Sequence, residues 1–144
     1  MKNIHYTFAL LLLTFCAIAQ KPTPKSEQDY YEIKTLPIPK EIYLEVGGLA
    51  TMPDGRIAVS TRRGEIWIIE NPYQLTNHQV HYKRFASGMH EVLGLAYRDG
   101  AFYCSQRGEL TKVTDTDRDG VADLYEPIYQ FDISGNYHEY TYGP

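Results

Sequence analysis

The sequence predicts an all-β fold built from repeated four-stranded antiparallel meanders, and three observations carry that prediction. The 144-residue chain holds 13 Tyr, 11 Gly and 8 Pro, a balance that suits pleated surfaces joined by many turns. Short β-branched and aromatic runs alternate with Asp-Gly and Arg-Gly pairs, where glycine supplies the positive φ of a tight turn. The chain also matches itself. GLATMPDGRIAVSTRRGEIWII (48–69) aligns with GLAYRDGAFYCSQRGELTKV (94–113), so that position 48 falls on 94 and position 69 on 113. A third copy starts near the end, because GMHEVLGLAY (88–97) has a counterpart in GNYHEYTYGP (135–144).

Taken in order, the first nineteen residues differ in kind from the rest. A basic start at Lys2, the apolar run YTFALLLLTFCAIA (6–19) and small residues at Ala17 and Ala19 before Gln20 read as a cleavable secretory signal peptide. The run is too short and wrongly flanked for a membrane span. Cys16 offers a lipoprotein alternative, but bulky Phe15 precedes it where a small residue is expected. Cleavage after Ala19 would send the chain to the periplasm or the outside. Residues 20–40, QKPTPKSEQDYYEIKTLPIPK, hold four prolines and no periodicity, as an arm or linker does. Strands follow in VGGLATM, RIAVST, EIWIIE and VHYKRFA, and again in VLGLAYR, AFYCS, ELTKVT and YEPIYQF. Trp67 in EIWII is expected to pack between repeats.

Charge and cysteine content narrow the function. Removing residues 1–19 takes one lysine from a chain of 14 basic and 18 acidic residues and leaves a net charge of −5, with no basic cluster for nucleic acid. One cysteine remains, Cys104, so no intrachain disulfide forms; within AFYCS it reads as a buried inert thiol.

A period of about 45 residues made of short strands and tight turns suits a four-stranded propeller blade. Closed propellers take about four to eight blades and this chain supplies about two and a half, so the sequence reads as the front portion of a longer protein. Because a meander reverses at every turn, its first and third turns share one rim. Its second turn and the link to the next copy share the other. Turns 53–55, 71–79, 99–100 and 115–123 therefore fall on one rim. Arg62, Arg63, Gln106, Arg107 and the two links bearing His90-Glu91 and His138-Glu139 fall on the other, where a ligand is expected.

The segment DTDRDGVADLYE (115–126) has the ligand order of an EF-hand calcium loop, with acidic groups at the first, third, fifth, ninth and twelfth places and glycine sixth. Its flanks, ELTKVT and PIYQF, read as strands and not as the helices an EF-hand needs. Asp115, Asp117 and Asp119 would give carboxylates, Val121 a carbonyl and Asp123 a further oxygen or water contact to a structural calcium. The alternative is a solvated Asp-rich turn. Glu126 is the weaker ligand, since a strand from Leu124 would alternate its side chains and Pro127 follows at once.

The stretches LPIPKEIYLEVGGLATMPDGRIAVSTRRGEIWIIENP, HEVLGLAYRDG and GNYHEYTYGP, with the calcium-like loop, resemble the amino-terminal blades of bacterial secreted propellers of the soluble PQQ-dependent glucose/sorbosone dehydrogenase-like group. The resemblance covers residues 36–144. It implies six blades, PQQ with calcium as cofactors, a sugar or other small alcohol as substrate and a cytochrome as electron acceptor. It implies His138 in NYHEYTYGP as the general base, a task an imidazole suits near neutral pH. His90 falls in the stretch near the quinone, where MHEV departs from the glutamine and small residues of related enzymes. Gln106 and Arg107 could reach a quinone carboxylate, or else be turn residues bonded to Glu65 or Glu109. A non-catalytic propeller that binds carbohydrate or a protein through the same rim is the second function class.

Overall fold

The computed structural model describes residues 25–132, 135–136 and 140–144, in two compact units divided between Lys34 and Thr35. The described part of the first is short: a 3-10 turn, Glu27–Asp29, follows Ser26, whose N–H donates to the Asp29 carboxylate at 2.7 Å. The second unit holds all eight strands and also takes in residues 35–40 of the expected arm.

That unit is all-β, with two four-stranded antiparallel sheets ordered as plain meanders. β1 (Val46–Thr51), β2 (Ile57–Thr61), β3 (Ile66–Glu70) and β4 (His81–Ala86) form the first; β5 (Gly94–Arg98), β6 (Ala101–Ser105), β7 (Glu109–Thr114) and β8 (Leu124–Gln130) form the second. Each turn has a local cause. Gly55, Gly64 and Gly100 take φ of +85°, +78° and +84°, a region that costs a glycine little. Asp54 accepts the Arg56 N–H at 3.1 Å and closes the first turn.

Period-two alternation decides the packing. Ala50 pairs with Ala58 and Ala58 with Ile68, which places all three on one face of the first sheet. Leu95 pairs with Cys104 and Tyr97 with Phe102, and Phe102 pairs with Val113, on one face of the second. These faces build a single core in which Phe102, Ile66, Val92, Cys104 and Val113 are fully buried. Phe102 is its centre: its ring lies 5.0 Å from Phe85, edge-on, and 4.9 Å from Tyr97. Trp67 does not join it. Its cross-strand partner is Val59, so alternation turns it to the opposite face of the first sheet, where its Nε1 donates to Glu65 at 2.9 Å.

Burial pushes the Cys104 thiol from 9.0 up to about 12. The unfolded chain ionises this group near its ordinary value while the folded chain holds it neutral, so its contribution to stability is lost as pH rises above that value.

The two sheets meet through strand glycines, and a similar close approach follows one repeat later. β1 lies against β5, and a Cβ on Gly48 would stand 2.8 Å from the Leu95 nitrogen. Ser60 Oγ donates to the Val92 carbonyl across the same junction at 3.2 Å. One repeat later, Gly94 abuts the backbone of Gly143 so closely that a Cβ there would collide with it. Residues 140–144 thus meet β5 as β5 meets β1. Among the described residues no helix is long and apolar enough to cross a membrane.

Candidate functional site

The rim carrying the Arg-Gly turns and the inter-repeat link holds a charged network centred on Glu91. Glu91 sits at φ +46°, a left-handed conformation that is uncommon for a residue with a Cβ. Its Oε1 accepts from Arg62 Nε at 3.2 Å and its Oε2 from Arg107 Nη1 at 3.4 Å. The two arginines come from the second turn of successive sheets, so Glu91 ties one repeat to the next. Arg107 also donates to the Asn136 carbonyl at 3.3 Å, and its guanidinium lies 5.1 Å from the centre of the Tyr140 ring. The link itself is held by Met89 N–H donating to the Gly64 carbonyl at 3.1 Å.

His90 projects from this network into solvent. Its side chain is 70% exposed, with Nε2 3.7 Å from Glu91 Oε2. Gln106 behaves differently. It is 8% exposed, its Oε1 accepts the His90 N–H at 2.5 Å, and its Nε2 donates to Thr111 Oγ1 at 2.6 Å and to Glu109 at 3.0 Å. Both ends of the amide are engaged, and Gln106 therefore fixes the link from beneath. Arg107 meets Glu91, on the link between the repeats, where the sequence offered Glu65 or Glu109. His138, the expected base, lies outside the described residues.

At the other rim the acidic loop is shaped by its own carboxylates. Asp115 accepts the N–H of Arg118 at 2.7 Å and of Gly120 at 2.8 Å, and Asp119 accepts that of Val121 at 2.7 Å. Asp115, Asp117 and Asp119 each present an oxygen within 4.8 Å of the others, a separation compatible with oxygens about 2.3–2.6 Å from one shared calcium. Asp123 is not part of this group. It accepts from the Thr116 N–H at 2.9 Å and from its hydroxyl at 2.5 Å, bonds that hold its carboxyl below the usual carboxylate range. Val121 is 45% exposed. β8 starts at Leu124, and Glu126 turns to Lys112 Nζ at 3.1 Å and away from the loop.

The loop is docked on the first sheet. Ala122 N–H donates to the Phe85 carbonyl at 2.7 Å, and Lys83 Nζ donates to the Asp119 carbonyl at 2.8 Å. Lys83 reaches across because its register partner is Ile68, a residue of the inter-sheet face. Gly120, at φ +86°, leaves the space that the ammonium fills.

No family model, curated protein or solved structure matches the chain.

Proposed function

We propose that the chain belongs to an exported β-propeller oxidoreductase of the PQQ-dependent sugar dehydrogenase type, delivered by a signal peptide over residues 1–19. The observation that carries the reading is the stacking of the two four-stranded sheets at Gly48 on Leu95, followed one repeat later by the approach of the 140–144 segment to Gly94. A fixed step between successive four-stranded sheets is what winds blades around an axis. On this reading the rim of the Arg-Gly turns is the ligand side, with Arg62, His90 and Arg107 facing a sugar and quinone.

The fit of these residues to PQQ is partial. Arg62 and Arg107 both pair with the carboxylate of Glu91, so a quinone carboxylate would have to compete with Glu91 for them. Gln106 has no spare amide group to give it. When bound, PQQ would accept the hydride from the sugar carbon. His138 would take the hydroxyl proton, and Arg107, stacked on Tyr140, would orient an anionic group. An electron-accepting cytochrome completes this reading.

The internal engagement of Gln106 and Arg107 favours a second reading, a non-catalytic propeller that binds carbohydrate through the same rim. Dye reduction with a panel of aldoses, after incubation with PQQ and Ca²⁺, separates the two. Turnover supports the oxidoreductase; sugar binding with neither PQQ binding nor turnover supports the module.

For the acidic loop we propose a structural calcium held by Asp115, Asp117 and Asp119, with the carbonyl of Val121 and a contact from Asp123 that requires release of Thr116. Saturating Ca²⁺ is expected to raise the melting temperature, by about 2.7 kcal/mol of added stability at a hundredfold excess over Kd. The double variant Asp115→Ala, Asp117→Ala should show no such rise. Identical melting of the parent chain in calcium and in chelator would leave the loop as a solvated turn.

A further inference from the structure

Glu91 has a counterpart in the first repeat. Glu45 precedes β1 at the offset that places Gly48 on Gly94, and it too is left-handed, at φ +29° against +46° for Glu91. Each pairs with the arginine of the Arg-Gly turn in the sheet that follows it, Glu45 with Arg63 at 3.3 Å and Glu91 with Arg107 at 3.4 Å. Each of these guanidiniums also lies on a tyrosine ring, Arg63 at 4.6 Å from the centre of Tyr43 and Arg107 at 5.1 Å from that of Tyr140. The turn backbone reaches back in both repeats: Arg62 N–H donates to the Glu45 carbonyl at 3.0 Å, and Arg107 N–H to the His90 carbonyl at 3.3 Å. A left-handed residue with a Cβ costs energy and persists only where its surroundings enforce it. Its recurrence with the same kinds of partner marks a brace written into the repeat.

Two differences separate the copies. Glu91 takes a second arginine, Arg62 of the preceding sheet, and its side chain is 17% exposed where that of Glu45 is 48% exposed. The residue before the glutamate also changes, from half-buried Leu44 to His90 with its solvent-facing ring. The backbone beneath that ring is held at successive residues. Met89 N–H is bonded to Gly64, His90 N–H to Gln106, the His90 carbonyl to Arg107, and Glu91 to two guanidiniums. An exposed polar side chain on so fixed a backbone is built as a preorganised contact group is built. We propose that Glu91 is a positioning residue, which with Arg62 and Arg107 braces the link so that the His90 imidazole is presented at a fixed place on the rim. The arginines are engaged in the brace, and the imidazole, able to donate and to accept, meets a ligand hydroxyl. That last role rests on the reading of this rim as the ligand side; the brace does not.

The histidine ring signals in the NMR spectrum of the full chain, with His90 assigned by His90→Gln, give the first readout. Arg62→Gln, Arg107→Gln and Glu91→Gln are each expected to shift and broaden the His90 signal, while His78 and His81 near the other rim keep theirs. Arg62→Lys, which retains a cationic donor for Glu91, should restore the position. Melting gives the second readout. Glu91→Gln is expected to lower the melting temperature by about 4–8 °C, as loss of a charge-assisted contact does in a domain of this size, and Glu45→Gln by about half of that or less, its ion pair being exposed. The double variant Arg62→Gln, Glu91→Gln should lose less than the two single changes together, as members of one network do. Titration with D-glucose, followed on the same ring signals, addresses the ligand separately: a response confined to His90 supports its contact role, and silence removes that role while the brace is judged by the variants. A His90 signal unmoved by Arg62→Gln and Glu91→Gln, or equal losses of melting temperature in Glu45→Gln and Glu91→Gln, would overturn the proposal.

Discussion

Phe102→Ala is expected to remove about 3–5 kcal/mol of stability, the range for truncating a buried aromatic. Phe102 is 1% exposed and holds ring contacts with Phe85 of the first sheet and Tyr97 of its own. The loss therefore combines hydrocarbon transfer, a cavity and two aromatic contacts that no neighbour can replace. Total stabilities of single domains are about 5–15 kcal/mol, so the variant should sit near the edge of folding. A lower urea midpoint at unchanged slope is the first readout. Cys104 supplies a second, being fully buried two residues along the same face of β6 and held as the unreactive thiol. Its modification by a thiol reagent reports opening of the core, and at about 1.4 kcal/mol per tenfold it should quicken by roughly 10²–10⁴. A variant with the parent's midpoint and labelling rate would mean that the two sheets do not meet through Phe102.

Most of the strand pattern was legible because alternation and turn glycines are local signals. EIWIIE, AFYCS and ELTKVT correspond to β3, β6 and β7 with ends shifted by no more than one residue. YEPIYQF falls on β8 with its ends displaced by one residue, and Glu126, doubted as a ligand because a strand there would alternate its side chains, pairs with Lys112. What the sequence did not disclose is who meets whom across repeats. Arg107 has carboxylates close by in its own repeat, yet it pairs with Glu91 on the preceding link. That choice depends on how the sheets stack, which no window of a few residues encodes. The face of Trp67 is set the same way: the alternation was visible, but which face meets the second sheet was not. Asp123 fits a ligand pattern by spacing, but Thr116, inside the loop, offers it two donors at shorter range. The doubled HE of the two links was the one available hint that Glu91 matters, and only its position among two Arg-Gly turns gives that hint meaning.

The second large effect is expected at Gly64, and a paired substitution isolates its cause. Gly64 and Gly100 both occupy left-handed turns, at φ +78° and +84°, so an alanine at either carries a conformational cost of about 1–2 kcal/mol. Around Gly100 nothing lies within 4 Å of an added Cβ, whereas at Gly64 that Cβ would collide with the carbonyl of Met89. Backbone cannot swing aside as a flexible side chain can, so Gly64→Ala must displace the link or the turn. Overpacking of this kind adds about 1–3 kcal/mol. Gly64→Ala should therefore cost about 2–5 kcal/mol and Gly100→Ala only its strain. The displaced link is the one that carries His90 and Glu91, and Met89 N–H is bonded to the Gly64 carbonyl itself. The pairing of Glu91 with Arg62 and Arg107 should loosen with it, so that any ligand of that rim binds Gly64→Ala more weakly than Gly100→Ala at temperatures where both are folded. Equal stability losses in the two variants would show that the turn and the link are not in backbone contact, and the network around Glu91 would lose the support that holds it in place.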